Sequence, residues 1–229
     1  MKGIIGIDPG TKGAISKVFM DGSIVYDPLP YKNLKGTSKQ VIDMDKMRSL
    51  ITDYYSHGDH VFLEYPDTPF GWSKEVAKKL THDIGVLEGL FYAWYINWAF
   101  IKPQDWQQLS WKDTDIVKKI TERKSKKKGI IKVFKTDTKQ SSINAATRIW
   151  PEQDFLYGEG EKKRKPYRTD PTARGFMDAA LIANAGHLIV HAKEFDIWKP
   201  LGRDVPYPGR SNKHKLYLES IKNPGRYAF

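Results

Sequence analysis

The stretch "MKGIIGIDPGTKGAIS", Met1 to Ser16, decides how the rest of the chain reads. Ile4, Ile5 and Ile7 form a nearly continuous apolar run, the pattern of a strand. The run stops at Asp8, so a carboxylate emerges directly from apolar surroundings, a costly place for a charge without a compensating cation or hydrogen-bond network. Pro9-Gly10-Thr11 and Gly13 follow, and the two glycines allow a sharp turn or a close approach of backbone. An ordinary hairpin would use the same glycines, so a turn and a site for a ligand are compatible. Thr11 and Lys12 lie where they could contact a phosphate.

Outward from that strand, Ala14 to Phe19 and Ser23 to Tyr26 read as two more, joined by the turn Met20-Asp21-Gly22. Met47, Leu50, Ile51 and Tyr54 recur at helical spacing across Asp45 to Tyr55. His60 to Leu63 is a short buried strand ending in Glu64. Ser73 to Trp98 reads as one or two helices, Ala99 to Lys102 as a strand stopped by Pro103. Thr138 to Trp150 is helical, with Asp137 or Thr138 as its N-cap, and a final helix covers Phe176 to Ala192. Three antiparallel strands followed by alternating helices and strands suit an α/β fold, a mixed sheet flanked by helices. No internal repeat is visible.

The 229 residues suit one domain with embellishments. Two segments stand out as basic insertions, near 112–139 and near 158–175. The first contains "ERKSKKKG" and the second is "GEGEKKRKPYRTDPTARG", with no periodicity of its own. Beyond residue 194 the chain is rich in Pro, Gly and basic residues, and 195–229 reads as an irregular extension. Cysteine is absent, which excludes disulfide and thiolate-zinc chemistry. The apolar stretch Gly85 to Ile101 is broken by Glu88 and Asn97, so a buried helix fits it better than a membrane span. No secretory signal is recognisable at the start. A net charge of +11 favours a polyanionic partner, and nucleic acid is the commonest.

Asp8, Glu64 and Asp178 share one kind of address, at strand ends or a helix start. Taken singly, Asp178 could be a helix N-terminal charge and Glu64, before Tyr65-Pro66, a loop acid. Taken together, converging carboxylates raise one another's proton affinity unless a cation intervenes. Oxygen-only donors suit Mg²⁺ or Mn²⁺. Two such ions about 4 Å apart can activate a water and stabilise a leaving oxygen in phosphodiester hydrolysis.

"GIIGIDPGTKGAIS", "HVFLEYPDTPFG" and "MDAALIANAG" resemble the three signature blocks of RuvC-like Holliday-junction resolvases, of the RNase H-like superfamily, in the diverged form found in bacteriophages. The resemblance extends through "AFIKPQDW" and "TKQSSINAATRIWP" and spans Met1 to Ile189. It implies an RNase H-like nuclease domain over 1–194, a homodimer, and Mg²⁺-dependent symmetric nicking of four-way DNA junctions in the cytoplasm of a bacterial host. Two Mg²⁺ ions are implied, with Mn²⁺ able to substitute. Asp8, Glu64 and Asp178 carry over as metal-binding catalytic residues. The family supplies a fourth acid or a histidine shortly before the last aspartate. Here Gly175 and Arg174 occupy the place one turn back, which leaves Asp170 as the nearest acid able to reach in. Lys139 resembles a family lysine near the active site, and Gln107 stands where relatives carry a lysine, with Lys112 as a substitute. Lys12, Lys126, Lys127 and Lys128 are further phosphate contacts, and Tyr65 and Phe70 are candidate wedges that stack on an opened base. Trp94, Tyr95 and Trp98 suit the core or a dimer interface.

Three other readings compete. An RNase H-like nuclease cutting flaps, other branches or RNA would use the same metal site. "GIDPGT" also resembles the phosphate loop of sugar kinases and actin-like ATPases, phosphotransferases that need a second such domain and a second glycine-rich loop. A binding module without catalysis would have no need for all three acids.

Overall fold

The computed structural model describes residues 2–65, 73–125, 129–153, 155 and 171–195. In chain order the elements are β1 (Gly3–Asp8), β2 (Ala14–Phe19), β3 (Ile24–Pro28), β4 (Tyr31–Asn33), β5 (Gln40–Ile42), α1 (Met44–Tyr54) and β6 (His60–Glu64). They continue with α2 (Lys74–Ala93), β7 (Trp98–Ile101), α3 (Pro103–Ser110), β8 (Lys118–Ser125), β9 (Gly129–Thr136), α4 (Thr138–Ile149) and α5 (Pro171–Phe195). The central sheet runs β3-β2-β1-β6-β7. β1 is antiparallel to β2 and parallel to β6, so this is a mixed sheet with β1 at its centre. With helices on both faces, it is an RNase H-like α/β fold.

Side-chain alternation along the strands builds two cores. Ile4, Ala14, Val18 and Phe62 pack into one layer with residues of α3, α4 and α5. Ile5, Ile7, Ile15, Val61 and Leu63 face the other way, onto α1 and α2. The same period of two decides where the strand-end acids point. Asp8 is in phase with Ile4 and Gly6, and Glu64 with Phe62, so both carboxylates leave the sheet on the α5 side. Ile7 pairs with Leu63, which brings the two acids to neighbouring strand ends.

Helix α5 lies hard against β1. A Cβ at Gly6 would run into the Ala179 carbonyl and the Ala183 amide, so only glycine permits this approach. Ala179, Ala180 and Ala183 are fully buried on the helix side of the contact. At the opposite end of the sheet a buried ion pair closes the structure. Lys17 Nζ lies 2.6 Å from Asp59 Oδ2 and donates to the Tyr54 carbonyl at 2.8 Å. Asp59 also accepts from the Gly3 and Ser56 amides, so the pair is well satisfied.

Several elements differ from the sequence-based expectation. Helix α2 stops at Ala93 rather than running toward Trp98. Tyr95 takes φ 52°, with its amide donating to the Tyr92 carbonyl and the Ile96 amide to Phe91. That is a Schellman stop, built with tyrosine where glycine is usual. Of the aromatic trio expected in the core or at a dimer interface, Trp94 and Trp98 are half-buried, whereas Tyr95 is 93% exposed. Helix α5 begins at Pro171, a residue suited to the first turn, so 171–175 are helical rather than loop. Residues 118–125 and 129–136, read only as part of a basic tract, pair as the antiparallel β8–β9 ribbon. The rest of the second basic segment, through 170, and the extension from 196 lie outside the described residues. No helix among the described residues is long and apolar enough to cross a membrane.

Replacing Tyr95 with glycine removes the left-handed strain of an exposed side chain. Tyr95→Gly is expected to raise stability by about 1 kcal/mol, read as a higher urea midpoint with an unchanged slope.

Candidate active site

Asp8, Glu64 and Asp178 are brought together by three elements. Asp8 ends β1, Glu64 ends β6, and Asp178 projects from α5. Asp178 sits two turns inside that helix, too far from Pro171 to serve as a first-turn charge on the helix dipole. Gly175, one turn earlier, packs on the loop after β1, where a Cβ would strike the Lys12 carbonyl. Its lack of a side chain therefore lets α5 deliver Asp178 to the site.

The loop itself is tightly folded. The Gly13 amide donates to the Gly10 carbonyl at 2.9 Å, and Gly10 takes φ 135°. A Cβ at Gly13 would collide with the Asp8 carbonyl, so the turn closes directly over the acid. Asp8, Lys12, Lys139 and Asp178 line one cleft of about 310 Å³. Lys139 reaches it from the first turn of α4, whose N-cap Asp137 accepts from the Gln140 amide.

Electrostatics make the carboxylates a strained group. Burial, followed by the charges of Glu64 and Asp178, raises the pKa of Asp8 well above the ordinary carboxylate range, and Asp8 shares a hydrogen bond with Glu64. Burial also pushes Glu64 up to about 7, against the lowering effect of its hydrogen bonds from Trp106 and Asp8. Trp106 Nε1, on α3, donates to Glu64 Oε1 at 2.8 Å and fixes that carboxylate. Among the described residues, no lysine or arginine forms an ion pair with Asp8 or Glu64.

Carboxylate oxygens are the donor chemistry that Mg²⁺ or Mn²⁺ selects. Among the described residues, however, no three His, Cys, Asp or Glu side chains stand arranged to hold one ion. Asp8 and Glu64 are hydrogen-bonded to each other, and the raised proton affinity of both favours a proton on the pair. In donor type, though not in this arrangement, the carboxylates match a hard divalent cation.

The remaining candidates divide. Tyr65 is half exposed and tilts onto Phe100 at 4.8 Å between ring centroids. Lys112 is exposed near the base of the β8–β9 ribbon and does not line the cleft. Asp170, Phe70, Lys126, Lys127 and Lys128 lie outside the described residues. Supporting residues escaped the sequence reading, among them Trp106 against Glu64 and Tyr31 beside the loop. The Tyr31 hydroxyl donates to Asp83 Oδ2 at 2.9 Å and accepts from the Gly10 amide, bracing the loop beside Asp8. Lys79 completes this brace, 2.7 Å from Asp83 and 4.5 Å over the Tyr31 ring. "PYKN" holds no pattern that would have marked Tyr31; only the fold brings it to Gly10.

No protein-family model matches the chain, and a search of curated proteins returns no relative. Two solved structures of RuvC from Thermus thermophilus are similar to it at 12% identity, covering 84% of this chain and 96% of that one. The TM-score is 0.42 for the structure of RuvC and 0.41 for RuvC in complex with a Holliday junction substrate.

The raised carboxyl pKa values set a pH dependence for the metal-free protein. With folded-state pKa values above the unfolded ones, the folded state holds more protons, so stability is fully present below about pH 4.5 and falls as pH rises through about 7. Asp8 and Glu64 titrate as a coupled pair, so the fall belongs to both. Urea melts across this window are expected to show it, and Glu64→Gln to reduce it while the burial of Asp8 keeps part of it.

Proposed function

We propose that this chain is a metal-dependent endonuclease that resolves four-way DNA junctions and related branches by phosphodiester hydrolysis. The observation that carries the reading is the crowding of Glu64 and Asp178 around Asp8, at a cleft lined by Asp8, Asp178, Lys12 and Lys139. Acids alone would repel a phosphodiester, and lysines alone would only bind it. Both on one cleft suit a substrate that must be held by its phosphates beside divalent cations.

Asp8, Glu64 and Asp178 would hold two Mg²⁺ ions, or Mn²⁺ in their place, with Asp170 as the candidate fourth ligand. Bound there, such ions supply a hydroxide-like water and charge stabilisation for the leaving oxygen. Trp106 keeps the Glu64 carboxylate oriented, which leaves its second oxygen for the site. Lys12 and Lys139 bind the phosphates flanking the scissile bond. Lys112, together with Lys126, Lys127 and Lys128, extends the phosphate-binding surface. Tyr65 and Phe70, just after Glu64, supply the stacking surface for a base unpaired at the branch. Two chains acting as a dimer would nick the junction symmetrically, and a bacterial cytoplasm is the setting that this role implies.

Incubation of a synthetic four-way junction with Mg²⁺, beside a linear duplex, a flap and an RNA–DNA hybrid, tests the reading. Cleavage of the four-way junction is expected to exceed that of the linear duplex. Asp8→Asn is expected to reduce cleavage by at least about 10³-fold while junction binding persists. Loss of binding together with cleavage would remove the metal-ligand role from Asp8.

A further inference from the structure

The β8–β9 ribbon has a composition and a register that the cleft does not explain. Its segment 118–136 carries nine lysines and arginines against one acid, Glu122, a net +8 out of the chain's +11. Each strand is eight residues long, a reach of about 25 Å at 3.4 Å per residue. Ile120 pairs directly with Phe134, and the two are 59% and 70% exposed. Lys132, opposite Glu122, shares that face by alternation and is exposed. On the other face Lys119 stands directly opposite Lys135. Like charges in that position destabilise a ladder. Asp137 relieves only part of the repulsion, as its carboxylate lies 3.4 Å from Lys119 Nζ.

An isolated two-stranded ribbon is marginal in water, and exposed apolar residues on one call for a partner. A second copy of the ribbon would bring +8 against +8, so self-pairing is opposed by charge. A duplex supplies what is missing: phosphates for the lysines, and a major groove wide enough for a two-stranded ribbon. The ribbon is also joined to the cleft. Thr136 leads through Asp137 into α4, which carries Lys139 into the wall of the site. Its base is clamped by Arg148, whose Nη2 lies 2.7 Å from Asp115 Oδ2 and donates to the Ser110 carbonyl at 2.8 Å.

We infer that the β8–β9 ribbon is a docking arm for duplex DNA. It enters the major groove of one branch with its lysines on the phosphates and the Ile120–Phe134 pair against base edges. This rests on the nuclease reading above and adds to it the element that grips the duplex and aims it at the carboxylates.

Fluorescence anisotropy with a linear duplex and a four-way junction, titrated with salt, tests the arm in the full-length protein. Lys132→Ala/Lys135→Ala is expected to weaken binding to both DNAs about 10-fold or more and to lower the salt slope by about 2, near 0.9 for each phosphate no longer neutralised. Phe134→Ser is expected to weaken binding several-fold with the salt slope unchanged, since it removes an apolar group and no charge. If both variants bind with unaltered affinity and slope while the wild-type protein binds and cuts junctions, the arm is wrong and the nuclease reading stands. If the wild-type protein neither binds nor cuts branched DNA with Mg²⁺, the nuclease reading fails and the arm with it. Sedimentation of the same variants separates a third outcome: a change of oligomeric state with DNA affinity retained would make the ribbon an interface between copies and overturn the proposal.

Discussion

The contact between β1 and α5 is the constraint on which the rest of the structure depends. Gly6 lets the helix come down onto the sheet until the Ala179 carbonyl and the Ala183 amide stand where a Cβ would be. Four residues before Ala179 on the same face of the helix, Gly175 repeats the device against the backbone of Lys12. Between these two approaches lies Asp178, and its position beside Asp8 follows from them. A larger residue at either glycine would lift α5, opening the core and parting the carboxylates together. Stability of the fold and assembly of the site are thus one packing problem.

The two ends of the central strands treat buried charge in opposite ways. At one end, Asp59 faces Lys17 and accepts two backbone amides besides, so its charge is neutralised within the protein. At the other, Asp8 meets Glu64 and Asp178, and each added negative charge raises the proton affinity of the first. A fold that needed only stability would favour the first arrangement. The second leaves carboxylates whose proton affinity is raised by burial and by one another, which is the physical basis for reading that end as the working one.

Much of this could be read from the chain because the signals were local and periodic. Ile4, Ile5 and Ile7 marked β1, alternation carried through to Leu63, and Asp8 and Glu64 fell at strand ends. Their shared direction needed only a period of two and a parallel register. The depth of Asp178 in α5 was hidden because Pro171 to Gly175 lies in a segment dense with charge, proline and glycine, and reads as loop. The end of α2 was hidden because Tyr95 stands where a glycine would have announced it. The ribbon was hidden because its apolar residues, Ile120 on one face and Val133 on the other, fall on both sides and blur the alternation. The brace of Tyr31 on Gly10 is a long-range contact with no sequence pattern at all.

The central claim, that these acids share protons which a divalent ion displaces, is tested most directly by calorimetric titration of Mg²⁺ into the metal-free protein in buffers of different ionisation enthalpy. The account predicts binding with proton release near pH 7, the release falling as pH is raised and reduced in Asp8→Asn. Absence of Mg²⁺ binding, or binding that releases no protons near pH 7, would contradict it.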